Sequence, residues 1–467
     1  MAVAERFPKD AVESLRERLS GEVVTPGDAA YGEARAVWNG TVDRHPAVVV
    51  RCQITEDVVV TLATAREYDL PVAVRGGGHN VAGTAVCDDG LVVDLSGMTA
   101  VVVDPEARTA RVAGGATWAE VDAATQRHGL ATPGGLVSDT GVGGLTLGGG
   151  LGHLRRKYGL SCDNVVSMEV VLADGSVVTA SADDHPELYW ALRGGGGNFG
   201  VVTEFTFDLH PVGPEVFGLL VFHPFDRAVD LFRQFRAYAE DAPDEASVVA
   251  FCAWVPDAEE FPEAVRGRPA VAFLGCHSGS VEEGERALAP VRAFADSLVD
   301  LSGPYQYTEF QQFLDADYPD GMRYYWKSLN LDGLSDGAIE TLVAAAERAP
   351  SHRSTVDVWH LGGAIARIPA DETAYAHRDV EFLFCPEANW EAESEDDVNV
   401  AWARETIEAM RPYGAEGGYV NFPGLGEEGT AGVRATYGGN YERLARVKAR
   451  YDPENLFRSN QNVRPAA

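Results

Sequence analysis

A chain of 467 residues is longer than one hydrophobic core usually supports, so two domains flanking a cleft are expected. Its 45% hydrophobic and 9% aromatic content excludes the disordered class. Its formal charge of −33 at pH 7 excludes nucleic acid as a partner, because phosphate contacts need local positive charge.

The opening stretch, MAVAERFPKDAVESLRERLSGE, is amphipathic and charged and has no apolar run of signal-peptide length. No later stretch approaches about 20 consecutive apolar residues, so a cytoplasmic protein with no membrane partner is expected. Only four basic residues are lysines (Lys9, Lys157, Lys327 and Lys448), a surface suited to high salt or to an arginine-favouring genome. Six cysteines (Cys52, Cys87, Cys162, Cys252, Cys276 and Cys385) lack CxxC spacing, which argues against a zinc site and a disulfide framework.

From about residue 46 to 210, short β-branched runs separated by glycine clusters predict strands: AVVVRC, PVAVRGGG, LVVDLS, ARVAGG, VVSMEVVLADGSVVTAS and VVTEFTFDL. Two helices intervene, after the capping hydroxyls of Thr55 and Thr117, and Gly129 ends the second. Between about 211 and 414, helical stretches such as FDRAVDLFRQFRAYAEDA and VEEGERALAPVRAFADSL alternate with aromatic strands such as AVAFLGCHS, STVDVWHLGG and DVEFLFCPEA. The fold class is therefore α+β, with a sheet covered by helices in the second half. A last helix is expected from about Tyr441 to Arg450, stopped by Asp452-Pro453.

Three glycine-rich segments stand out: RGGGHNVAG (75–83), PGGLVSDTGVGGLTLGGGLG (133–152) and RGGGGNFG (193–200). Glycine lets backbone N–H groups crowd around an anion such as a pyrophosphate, and three such clusters point to a dinucleotide. GGGNFG at 195–200 satisfies GxGxxG but precedes a strand, whereas the Rossmann fingerprint opens a helix, and no GK pair makes a P-loop. The nucleotide is expected to be held in another way.

PVAVRGGGHNVAG, ATPGG, TGVGGLTLGGGLGHLRRKYGLSCDNVVSMEVVLADG and LYWALRGGGGNFGVVTEF, with the C-terminal GGYVNFPG and DPENLFRSNQNV, resemble the berberine bridge enzyme-like group of FAD-linked oxidases in the vanillyl-alcohol oxidase superfamily. The resemblance implies a PCMH-type FAD-binding domain over 1–210, with its core at about 46–210. It implies a substrate-binding domain over 211–414, whose antiparallel sheet roofs the flavin, and a segment over 415–467 that completes the FAD domain. It further implies that FAD is tethered through His79 and Cys162. The cradle it implies comprises Arg75, Gly76, Gly77, Gly78, Asn80, Gly83, Pro133, Gly134, Gly135, Thr140, Gly141, Gly143, Gly144, Thr146, Gly148, Gly149, Gly150, Gly152, His153, Gly200, Val202, Asn421, Asn460 and Asn462. On the residues alone, an imidazole and a thiolate are the good nucleophiles of this region, with a turn histidine and a buried inert thiol as their plainer readings.

Flavins accept a hydride at N5, so the protein must place a C–H bond there and remove a proton from the neighbouring O–H or N–H. In the resembling group the base comes from the roof or from a Y-x-N-Y segment, which here reads Tyr419-Val420-Asn421-Phe422 and lacks the second tyrosine. Tyr419 is the leading base, with packing over the flavin as its plainer role. The roof segment MRYYWKSLNL puts Tyr325 and Lys327 on one strand face and Tyr324 and Trp326 on the other. Tyr325 is the second candidate, and Trp359, His360 and Glu381 rank lower. The residue three after the flavin-linked cysteine, Val165, is implied to govern oxygen access.

An oxidase releasing hydrogen peroxide from a small-molecule substrate and molecular oxygen is therefore expected. Beside it stand a same-fold dehydrogenase with another acceptor, a nicotinamide-dependent enzyme and a flavin-binding protein without turnover. The substrate is an alcohol, sugar, amine or secondary metabolite.

Overall fold

In the computed structural model, which describes residues 7–426 and 429–467, the runs Val48–Arg51, Val72–Arg75 and Leu91–Asp94 form short strands. They pair in parallel, as expected for nearly uninterrupted apolar strands covered on both faces. The crossover that a parallel pair demands is the helix Thr55–Glu67. Thr55 does not cap it; the Thr55 hydroxyl donates to Glu169 at 2.7 Å, and Asp57 accepts the Ser20 and Gln53 N–H groups instead. Thr117 does cap its helix, in a reciprocal box with Glu120, and Gly129 closes that segment at φ 62°.

A second, five-stranded antiparallel sheet joins Val101–Asp104, Thr109–Ala113, Val201–Asp208, Val165–Val171 and Val177–Ser181 in that spatial order. GGGNFG runs from the helix Pro186–Leu192 into the strand Val201–Asp208, the reverse of a Rossmann turn.

The third sheet is antiparallel, nine-stranded and drawn from 215–390. Its period-2 alternation separates two faces. In Thr355–His360, Val356 and Val358 join the core beneath the helices Ala228–Asp241, Asp336–Ala346 and Asp396–Met410, while Thr355, Asp357 and Trp359 look the other way. Helices thus cover one face, and the other closes a cleft against the glycine loops.

The C-terminal stretch returns to the N-terminal half. Tyr437, Tyr441 and Leu444 pack in one core with Trp118 and Phe205. On the helix Tyr441–Tyr451, the fully buried Lys448 donates to Asp452 at 2.6 Å and to the carbonyls of Asn198 and Phe457 at 2.6 and 2.8 Å. A buried ammonium is tolerable only with such partners, so these bonds pin the chain terminus to the GGGNFG loop. All six cysteines are free and buried, and among the described residues no helix is long and apolar enough to cross a membrane.

Candidate active site

Between the glycine loops and the large sheet lies a cavity of about 1130 Å³. Its lower wall is largely backbone, from Gly76–Gly78, Gly141, Gly143, Gly144, Gly196, Gly197 and Gly200. The reason is close approach: a Cβ on Gly77 would stand 2.4 Å from Gly141 N, and one on Gly141 would stand 2.2 Å from Gly77 N. His79, Asn80, Gly135, Thr140, Val202, Tyr419, Asn421 and Asn460 complete the expected residues that reach this wall.

The wall suits an anionic dinucleotide. Despite the acidity of the chain, among the described residues no lining Asp or Glu comes from the N-terminal half or the C-terminal stretch. Asn460 donates to the Gly197 and Phe457 carbonyls, yet its buried Oδ1 has no partner. Such an orphan acceptor at a cavity edge fits a ligand donor.

His79 stacks on Trp38, with ring centroids 5.2 Å apart, and Trp38 stacks in turn on Tyr324 at 3.6 Å. Its Nδ1 lies 3.4 Å from the Thr140 hydroxyl and its Nε2 lies 3.3 Å from Asp139. Burial lowers its pKa to about 4, so the ring is neutral at pH 7 and keeps a lone pair for bond formation.

Cys162 is fully buried and stands off the cavity wall, in a cluster with Leu151, Trp359, Tyr375 and Tyr419. Burial and the adjacent Asp163 push its thiol pKa up, opposed by Arg378. Arg378 holds Asp163 through two hydrogen bonds of 2.7 Å.

The Tyr419 hydroxyl accepts N–H groups from Gly150 at 3.0 Å and Asn421 Nδ2 at 2.8 Å. Both bonds favour a phenolate, whereas burial opposes it more strongly and raises the pKa to about 12. Phe422, where a second tyrosine was expected, packs edge-on to Tyr419 at 5.0 Å and to Trp326 at 5.3 Å. Trp359 extends this aromatic wall, at 6.3 Å from Phe422.

Several expectations are corrected. Tyr325 faces away from the cavity into the helix-covered core, where Arg404 Nε donates to its hydroxyl at 3.0 Å. On the opposite face of that strand Trp326 lines the cavity, while Tyr324 is buried against Trp38. His360 also turns to the helix side, against Phe235 and Phe382, and Glu381 is off the wall.

Arg75 binds Asp94 and the Ala34 and Ala36 carbonyls, anchoring the N-terminal segment rather than a ligand. Gly83, Gly134, Gly148, Gly149, Gly150 and Gly152 are off the wall too. They make room for Val42, Trp118, Asn421, Tyr375, Ser161 and the Gly134 carbonyl, respectively. Pro133, Thr146, His153 and Asn462 are likewise behind it, His153 tilted against Phe310 at 4.7 Å.

Val165 packs in the core of the second sheet with Trp118, Phe205 and Phe207, not on the cavity surface. Val165→Leu is therefore expected to destabilise by about 1–3 kcal/mol through overpacking, read from chemical unfolding, with the cavity unaltered. An unchanged unfolding midpoint together with slower flavin reoxidation would restore the oxygen-gate role.

Residues that the sequence did not single out are Trp38, Asp317, Tyr318, Asp357 and Glu387, all on the cavity wall. The two last had a signal: a carboxylate within a largely apolar strand, in STVDVWH and FLFCPEANW.

Fold and cavity together define an FAD-binding oxidoreductase. Residues 46–181 match the model of an FAD binding domain, and residues 418–464 match that described as berberine and berberine like. An uncharacterized FAD-linked oxidoreductase, YgaK, of Bacillus subtilis (strain 168) is 32% identical, over 96% of this chain and 98% of its own length. The structure of 6-hydroxy-D-nicotine oxidase from Arthrobacter nicotinovorans superposes with a TM-score of 0.85 at 28% identity, covering 96% of this chain and 98% of that one. Glucooligosaccharide oxidase from Acremonium strictum, described with a 6-S-cysteinyl, 8α-N1-histidyl FAD, gives 0.84 at 25%, covering 97% and 100%. The chain belongs to the berberine bridge enzyme-like family of FAD-linked oxidoreductases.

Proposed function

We propose that the protein is a cytoplasmic oxidase whose FAD is joined to His79 and Cys162, and which oxidises a small organic substrate with release of hydrogen peroxide. The observation that carries this reading is the meeting, in one cavity, of closely packed glycine loops with Tyr419 and the neutral His79. FAD held by these loops would supply a two-electron acceptor for a hydride from carbon, with oxygen and two protons giving peroxide. The covalent linkages named for the Acremonium enzyme support a cysteine and a histidine in these roles here.

The residues do the rest. The Gly76–Gly78 and Gly141–Gly144 loops hold the dinucleotide, and Thr140 and Asp139 orient the imidazole. Tyr419 takes the proton from the substrate O–H or N–H, helped by the Gly150 and Asn421 N–H groups that stabilise its oxyanion.

The test of oxidase against dehydrogenase needs no substrate. Protein reduced with dithionite under argon, then mixed with oxygenated buffer, should reoxidise rapidly and release one peroxide per flavin. A flavin that stays reduced in air but is reoxidised by a quinone would establish the dehydrogenase instead.

A further inference from the structure

The charge of the cavity is divided sharply. Among the described residues its lining carboxylates, Asp257, Glu260, Glu309, Asp317, Asp357 and Glu387, come from the roof. The roof's basic residues on the wall are His352 and Arg353, and Arg353 is exposed and donates to Glu391 at 3.0 Å. Most of these acids are ordinary surface groups. Asp357 and Glu387 are not: they are 5% and 2% exposed and sit on adjacent strands with their carboxyls in contact.

Glu387 accepts the Tyr318 hydroxyl at 2.9 Å, which fixes its orientation. Asp357 Oδ1 has no hydrogen-bond partner, although its side chain faces the cavity. Burying a carboxyl oxygen without a partner is costly, so this atom marks a place where a ligand donor belongs. Trp359, two residues along the strand and about 7 Å away, lines the cavity next to Phe422.

We propose that Asp357 and Glu387 form a recognition site for the protonated amine of a cationic substrate, whose oxidised carbon lies about one strand step further on, between Trp359 and Tyr419. The partnerless oxygen and the shortage of neutralising cations favour a charged donor over a neutral hydroxyl. Burial and their mutual proximity hold both carboxyl pKa values up, and a cation beside the pair would bring them down. The inference deepens the oxidase reading and rests on it for the position of the reacting carbon.

Titration calorimetry on the flavin-loaded protein, with benzylamine and benzyl alcohol as probes, tests it. Benzylamine should bind at least about tenfold more tightly, the worth of one charge-assisted hydrogen bond. Asp357→Asn combined with Glu387→Gln should erase that preference while leaving benzyl alcohol affinity and flavin content unchanged. Equal affinities in the wild type, a preference that survives the double substitution, or tighter binding of cellobiose than of benzylamine would overturn the proposal. If the double variant fails to fold, Asp357→Asn alone and the wild-type comparison decide. Failure of the oxidase reading is separate, since it shows in reoxidation of dithionite-reduced protein and involves no amine.

Discussion

Replacing Tyr419 by phenylalanine is expected to slow flavin reduction by about 10²-fold or more, the range for loss of a general base, while leaving the flavin absorbance nearly unchanged. The substitution removes one oxygen and little volume, so the packing with Phe422 and Tyr375 persists. What disappears is the acceptor on which the Gly150 and Asn421 N–H groups converge. Because burial holds the phenol pKa near 12, the phenolate fraction grows with pH. Reduction of the wild type should therefore accelerate from neutral to alkaline pH, and that of Tyr419→Phe should not. Stopped-flow reduction under argon reads both, and equal rates in the two proteins would remove Tyr419 from the chemistry.

The largest expected loss of stability is at Arg378→Ala, about 3–5 kcal/mol, because it leaves a charge buried without its partner. Arg378 and Asp163 have side chains only 2% and 4% exposed, and Arg378 also donates to Thr373 and the Tyr375 carbonyl. Once stranded, Asp163 would sit beside Cys162, its Oδ1 3.7 Å from the sulfur, and hinder thiolate formation. Adding Asp163→Asn to Arg378→Ala should recover part of the loss, since no buried charge then remains. Denaturant unfolding of the two variants measures this, and a double variant no more stable than Arg378→Ala would show that the pair's charges are not the cause.

Much of this was legible in the residues because it is local chemistry. RGGGHN and TGVGG declare close backbone approach, and the structure brings those loops to one wall with His79 at its edge. The aromatic run STVDVWHLGG predicts a strand, and a strand is found at Thr355–His360. Which face meets the cavity was not legible in MRYYWKSLNL, where tyrosine and tryptophan on either face bury equally well. Only the helix-side core settles that Tyr325 turns away.

The same limit applies to the glycines. Gly77 and Gly134 look alike in sequence, yet one borders the cavity and the other accommodates Trp118, a distinction made by tertiary packing. Asp357 and Glu387 are 30 positions apart, and their meeting depends on strand pairing that no local pattern encodes.

Whether FAD occupies this cavity bound to His79 and Cys162 is read by mass spectrometry of the digested, acid-denatured protein. The flavin should stay with the protein and link a peptide containing His79 to one containing Cys162. In His79→Ala it should remain on the Cys162 peptide alone, and in Cys162→Ala on the His79 peptide alone. Release of all FAD on denaturing the wild type, or retention of flavin by the double variant, would contradict it.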